Sequence, residues 1–78
     1  MSNPKAGLLG KVLGQMNQLA DQGFPLQALK KLDEAMRLLD EVRTDSGLAP
    51  MSKTVAQSIR QCIEESIAQR VRDAKHTA

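Results

Sequence analysis

The chain has 78 residues, a net charge of +2 and almost no aromatic side chains. A chain this short forms one domain and buries only about 60% of its unfolded surface, so a partner or a second copy would help its stability. Its 11 basic and 9 acidic residues are spread along all segments, and Trp and Tyr are absent. Nucleic-acid binding is therefore disfavoured, because single-strand binding uses aromatic stacking platforms and a single-sign field.

The first predicted helix covers residues 5–22. Asn3 is a suitable N-cap and Pro4 a suitable first helical residue. Apolar residues recur at steps of three and four and share one face of this helix. They are Leu8, Leu9, Val12, Leu13, Met16, Leu19 and Ala20.

Three glycines, Gly7, Gly10 and Gly14, fall on nearly the opposite face of this helix. Each interior glycine costs about 1 kcal/mol of helix stability relative to alanine, so this is the least secure helix. Two interpretations stay open. The glycines form a solvent face that tolerates weak helix formers, or they form a smooth seam against another backbone in a homodimer.

Gly23 and Pro25 predict the turn into a second helix over residues 25–43, since Gly ends helices and Pro starts them. The apolar residues of this helix cover more than half of its circumference and require two neighbours. They are Leu26, Ala28, Leu29, Leu32, Ala35, Met36, Leu39 and Val42. Leu38 lies apart from this stripe. We therefore expect it to be exposed, and it is the first candidate for a partner contact on this helix.

A polar loop over residues 44–50 leads into the third predicted helix, residues 51–74. Its apolar stripe consists of Met51, Val55, Ile59, Cys62, Ile63, Ile67 and Val71. Cys62 is expected to be a small core residue, because a free thiol on a helix usually packs as an apolar side chain. It has no second cysteine to pair with.

Ser66 and Arg70 interrupt the apolar stripe toward the end of the third helix. An arginine is almost never buried without a partner. Either the third helix outruns the other two and Arg70 lies in solvent, or Arg70 pairs with a carboxylate. The functional interpretation makes Ser66 and Arg70 partner-binding residues, with Arg70 an anchoring cation at the mouth of a groove. The tails, residues 1–4 and 75–78, are expected to fray.

No chemistry can be assigned to the chain. A metal site needs several converging ligands, whereas the sequence has a single His and a single Cys, fourteen positions apart. We expect no cofactor, no metal and no catalytic residues, and the chain is not expected to be an enzyme. There is also no long apolar run for a signal or a membrane span, so the expected compartment is the cytoplasm.

These elements predict an all-α, antiparallel three-helix bundle in which residues 1–78 form one domain. The residues around the first turn have the spacing of a tetratricopeptide-repeat hairpin: Gly23, Ala28, Leu29, Leu32, Ala35 and Met36. Only one copy is present, whereas a solenoid needs about three repeats. A lone hairpin followed by one long helix resembles the microtubule-interacting-and-trafficking (MIT) domain, a three-helix bundle of similar length.

The MIT resemblance implies capture of a partner helix or strand in a groove beside the third helix. Of that family's residues only Arg70 carries over. The chain departs from the family pattern at Leu32, where an aromatic residue is usual, and at Arg72, where an acidic residue is usual. The leading hypothesis is a protein-protein interaction module. The alternatives are a small homodimeric regulator that sequesters a protein and, least favoured, a helical nucleic-acid binder.

Overall fold

The computed structural model describes residues 3–76 and contains three helices, α1 (Pro4–Asp21), α2 (Pro25–Asp45) and α3 (Lys53–His76). All three pairs of helices are in contact. This confirms the predicted all-α three-helix bundle, with α2 extending two residues further than expected and α3 starting two residues later. Residues 1, 2, 77 and 78 lie outside the described residues, and the expected fraying of the tails stays a prediction.

Local interactions define where each helix begins and ends. The side-chain oxygen of Asn3 accepts a hydrogen bond from the Lys5 N–H at 2.9 Å, which caps α1 as predicted. Gly23 adopts a positive φ of 85°, and the N–H groups of Gly23 and Phe24 donate to the carbonyls of Ala20 and Leu19. This pair of bonds is a Schellman motif, which satisfies the last carbonyls of the helix and turns the chain sharply.

The same motif ends α2. Gly47 has a φ of 84°, its N–H donates to Thr44, and the N–H of Leu48 donates to Arg43. On the far side of this loop, the hydroxyl oxygen of Ser52 accepts from the Val55 N–H at 3.2 Å and caps α3. The two glycines are needed here because residues with a side chain rarely adopt a positive φ.

The core consists of two clusters of buried apolar side chains. The larger cluster joins all three helices near the α1–α2 turn and contains Met16, Ala20, Ala28, Leu32, Ile67 and Val71. The smaller cluster joins only α1 and α2 and contains Val12, Ala35 and Leu38. The third helix therefore contributes buried residues only from its C-terminal half.

The expectation that Leu38 is exposed is wrong. Its side chain is only 4% exposed and packs with Val12 and Ala35 between α1 and α2. Leu38 follows Ala35 by three positions, and residues three apart share a helix face. The apolar face of α2 that meets α1 therefore includes Leu38. A partner could reach this side chain only by separating the two helices.

The start of α3 is held to the end of α2 by polar contacts. The N–H of Met51 donates to the Asp40 carboxylate at 3.2 Å, and the Arg43 guanidinium donates to the Ala49 carbonyl at 3.4 Å. At the same end of α2, Asp45 approaches Lys5 at the beginning of α1. The chain thus runs up, down and up. Among residues 3–76, no helix combines the length and the apolar character that crossing a bilayer requires.

Candidate functional site

Arg70 pairs with Asp21 across the bundle. Its Nη1 atom lies 3.0 Å and 2.9 Å from the two carboxylate oxygens of Asp21, the last residue of α1. Of the two alternatives for Arg70, the structure therefore shows the ion pair. A concavity of about 500 Å³ lies beside this pair and is lined by Asp21, Arg70, Asp73 and Ala74.

This ion pair joins the end of α1 to the C-terminal part of α3. Asp21 and Arg70 are 49 positions apart, and α1 and α3 run in the same direction, so the two helices lie side by side along the bundle.

On α1, the residues that lead to Asp21 form one continuous stripe at steps of three and four: Gly7, Gly10, Gly14, Asn17 and Asp21. The three glycines are exposed. Apart from the backbone of α1 itself, no atom of the described residues lies within 4 Å of a Cβ built on any of them. The predicted seam is thus open along its glycine part.

On α3, the residues that lead to Arg70 form a matching stripe: Val55, Ile59, Cys62, Ser66 and Arg70. Val55 is 49% exposed, and Cys62 and Ser66 are exposed as well. The expectation that Cys62 and Val55 belong to the core is wrong. The inner face of α3 is instead an adjacent stripe, with Ile67 and Val71 buried and Ala56, Ile63 and Ala74 half-buried.

We call the surface that carries these two stripes the α1–α3 groove. On α1 it presents the bare backbone of the glycine stripe, and on α3 it presents a mixture of apolar and small residues. The Asp21–Arg70 ion pair joins the two stripes at the end nearest the α1–α2 turn. Two of the predicted partner-binding residues, Ser66 and Arg70, line this groove together with all three glycines, whereas Leu38 does not.

An ion pair that the sequence did not predict lies on the opposite flank of α3, toward α2. The Arg60 guanidinium contacts the carboxylate of Asp33 on α2, and its Nε atom lies 3.5 Å from Glu64. The only available signal was the i,i+4 spacing of Arg60 and Glu64, which does not specify a partner on another helix. Each flank of α3 thus carries an ion pair to its neighbour, Arg60 with Asp33 on α2 and Arg70 with Asp21 on α1.

The turn between α1 and α2 carries a second feature that was missed. Phe24, Pro25 and Leu26 are consecutive and all exposed, and the side chain of Leu26 is 74% exposed. Helical spacing predicts that Leu26 belongs to the apolar face of α2, and its exposure shows that this prediction is wrong. Because Leu26 lies in the first turn, before α2 is covered by its neighbours, its side chain points into solvent.

One ionisable group, Asp45, takes part in a hydrogen-bonded network at the start of α1. The Lys5 ammonium, and after it the Asn3 amide, donate hydrogen bonds to Asp45 and hold the pKa of that carboxyl below its usual value of 3.8. This network lies at the far end of the bundle from Arg70. Within residues 3–76, no group of three or more His, Cys, Asp or Glu side chains is placed to hold a metal ion.

Comparison of the chain with family models, with curated proteins and with solved structures yields no match. The resemblance to MIT domains and to tetratricopeptide hairpins therefore stays a prediction from the spacing of the turn residues.

Proposed function

We propose that this protein is a non-enzymatic interaction module that takes up a helix of another protein in the α1–α3 groove. The observation that carries the proposal is the open glycine stripe that leads to the Asp21–Arg70 ion pair. A Cβ built on any of the three glycines meets open space, and Val55, Cys62 and Ser66 on the α3 stripe that leads to Arg70 are exposed.

A helix suits this groove because one wall has no side chains. Small residues allow two helix backbones to approach closely, and the contact then extends along several turns. Val55 and Ile59 on the other wall offer apolar surface to the arriving side chains, and removal of that surface from water favours binding. Helices that bind this way present anchors at i, i+3, i+4 and i+7. The partner is therefore expected to be amphipathic.

Arg70 lies at the end of the groove, where such a partner helix would end. It already shares its charge with Asp21, and both side chains remain about half exposed. Substitution Arg70→Glu places a carboxylate beside Asp21, which should repel the end of a bound helix that carries the negative end of its dipole. We expect weaker capture with little loss of helicity, because an exposed ion pair contributes at most about 1 kcal/mol.

The single cysteine gives a direct test of occupancy. Amphipathic helical peptides selected from a display library for binding to the protein should slow the reaction of Cys62 with a thiol reagent by at least tenfold. The matched control is the double variant Cys62→Ser, Ala68→Cys, which moves the thiol to another exposed position of α3. In that variant the same peptides should leave the reaction rate unchanged. A library that yields only peptides leaving Cys62 fully reactive would contradict the proposal.

A second variant separates the groove from the rest of the surface. Gly10→Leu fills the glycine wall, where a new side chain meets open space, so the protein should fold normally and lose peptide affinity. Ala68→Leu adds similar bulk at an exposed position of α3 outside the groove and should bind as the parent does. Equal affinity of both variants would reject the groove as the binding surface.

A second copy of the chain is the competing occupant, since it would use the same glycine stripe. Sedimentation at micromolar concentration distinguishes the two. The interaction module is expected to be a monomer whose mass does not change with Gly10→Leu. A dimer that this substitution dissociates would favour the homodimeric regulator.

A further inference from the structure

The α1–α2 turn displays two exposed large apolar side chains, one of which, Leu26, is the most exposed among the described residues. Leu26 is 74% exposed and Phe24 is 47% exposed, with an exposed proline between them. Phe24 is also the only aromatic residue of the chain. Single exposed apolar residues are ordinary, but a contiguous group marks an interaction site. We call Phe24, Pro25 and Leu26 the elbow tip.

The backbone holds the elbow tip outward. The positive φ of Gly23 and the hydrogen bond from the Phe24 N–H to the Leu19 carbonyl, 2.9 Å long, fix the point where the chain leaves α1. Pro25 then restricts the first residue of α2. Little conformational entropy would therefore be lost when the tip meets a surface.

The end of the bundle that carries the elbow tip also carries unpaired positive charge. Lys30 lies one turn after Leu26 and on the same face of α2. Arg72 and Lys75 are in the last turns of α3, which reach this end because Arg70 contacts Asp21. Within the described part of the chain, these three cations are exposed and form no ion pair.

The carboxylates at this end are mostly engaged. Asp21 accepts from Arg70, Glu34 lies 3.6 Å from Lys31, and Asp73 accepts a hydrogen bond from Gln69. Gln69 is neutral and leaves the negative charge of Asp73 in place, but Lys30, Arg72 and Lys75 exceed it, so the local surplus is positive although the chain as a whole carries only +2. A protruding apolar tip flanked by cations is complementary to an anionic lipid surface, where acyl chains receive the apolar groups and headgroups receive the charges.

We propose that the elbow tip inserts into anionic membrane surfaces, with Lys30, Arg72 and Lys75 facing the headgroups. A phosphate polymer such as RNA would satisfy the cations but leave Leu26 in water, so the lipid surface accounts for both features. This inference is independent of the α1–α3 groove, which lies along the side of the bundle and not at its end.

Co-sedimentation of the full chain with vesicles tests the proposal. The protein should pellet with phosphatidylcholine vesicles that contain phosphatidylserine and remain in solution with phosphatidylcholine alone. Leu26→Ser should lower the partition coefficient about tenfold, the effect of losing one buried leucine side chain. The matched control is Leu48→Ser, because Leu48 is 52% exposed at the opposite end of the bundle. It should bind as the parent does.

Charge and insertion can be measured separately. The double variant Lys30→Glu, Lys75→Glu should lose at least tenfold in binding to the anionic vesicles. Since the chain has no Trp or Tyr, Phe24→Trp introduces a single fluorophore whose emission should shift to shorter wavelength on insertion. Unchanged binding of Leu26→Ser, equal binding to neutral vesicles, an unshifted emission, or binding to single-stranded RNA without vesicle binding would each overturn the proposal.

Discussion

Helix α1 has one packed face and one open face. The packed face places Val12 against Ala35 and Leu38 of α2, and its other buried residues belong to the cluster that α1 shares with α2 and α3. On the open face, a Cβ built on any of the three glycines meets no atom within 4 Å apart from the local backbone of α1. The difference shows that side-chain volume closes the contacts of α1, and that the face without side chains stays open.

The largest expected effect comes from breaking the closed contact. Leu38→Ala should lower the free energy of unfolding by about 3 kcal/mol, because it removes a buried side chain and leaves a cavity between α1 and α2. Denaturant unfolding followed by circular dichroism measures this. Leu26→Ala is the control and should change stability by less than about 0.5 kcal/mol, since Leu26 is exposed. Equal effects of the two substitutions would contradict the placement of Leu38 in the core.

Substitutions on the open glycine face should raise the free energy of unfolding instead of lowering it. Gly10→Ala and Gly14→Ala should each raise the free energy of unfolding by about 1 kcal/mol, because alanine is the better helix former and the added methyl group meets open space. Thermal unfolding of the single and double variants measures the gain. A loss of stability would mean that α3 approaches the glycine wall more closely than the structure shows.

A smaller effect on stability is expected at the Asp21–Arg70 ion pair, which joins α1 to α3. Arg70→Met and Asp21→Asn, alone and combined, form a double-mutant cycle for the ion pair. Both side chains are about half exposed, so solvent screening should limit the coupling energy to about 0.5 kcal/mol. The coupling should fall with added salt. A coupling energy of several kcal/mol that does not change with salt would instead mean that the ion pair is a main source of stability for the contact between α1 and α3.

The smallest effect concerns the start of the α1–α2 contact, where Lys5 and Asn3 donate to Asp45. These bonds lower the folded-state pKa of Asp45 below 3.8, so their stabilising contribution is complete above that pH and is lost as the pH falls through the folded-state pKa. An NMR titration of the Asp45 carboxyl should give a midpoint below 3.8. Lys5→Met should return the midpoint toward the ordinary value, and an unchanged midpoint would contradict the assigned cause.

Local signals allowed most of the fold to be predicted. The Asn3 cap, the Gly23 and Pro25 turn and the periodicity of α1 depend on neighbours within a few positions, so they can be recognised without tertiary information. Leu38, Val55 and Cys62 were misplaced because burial depends on which flank of a helix meets its neighbours. A helical wheel gives the angle between two residues but not the direction of the core.

The candidate groove was predictable only in part. The glycine stripe and the irregular end of α3 could be seen in the sequence, and Arg70 was already restricted to solvent or an ion pair. The choice of Asp21 as its partner needs the register of two helices separated by 49 positions, which sequence spacing does not contain.

The sequence by itself determined three helices, their turns and the presence of a side-chain-free stripe on α1, since each depends on backbone preferences and short-range contacts. Only the tertiary structure decided that this stripe stays open, that Arg70 bridges to Asp21 and that the elbow tip is exposed to solvent. The physical reason is that side-chain burial is a property of the assembled bundle. Each helix has more apolar surface than its two neighbours can cover, and packing selects which part remains exposed.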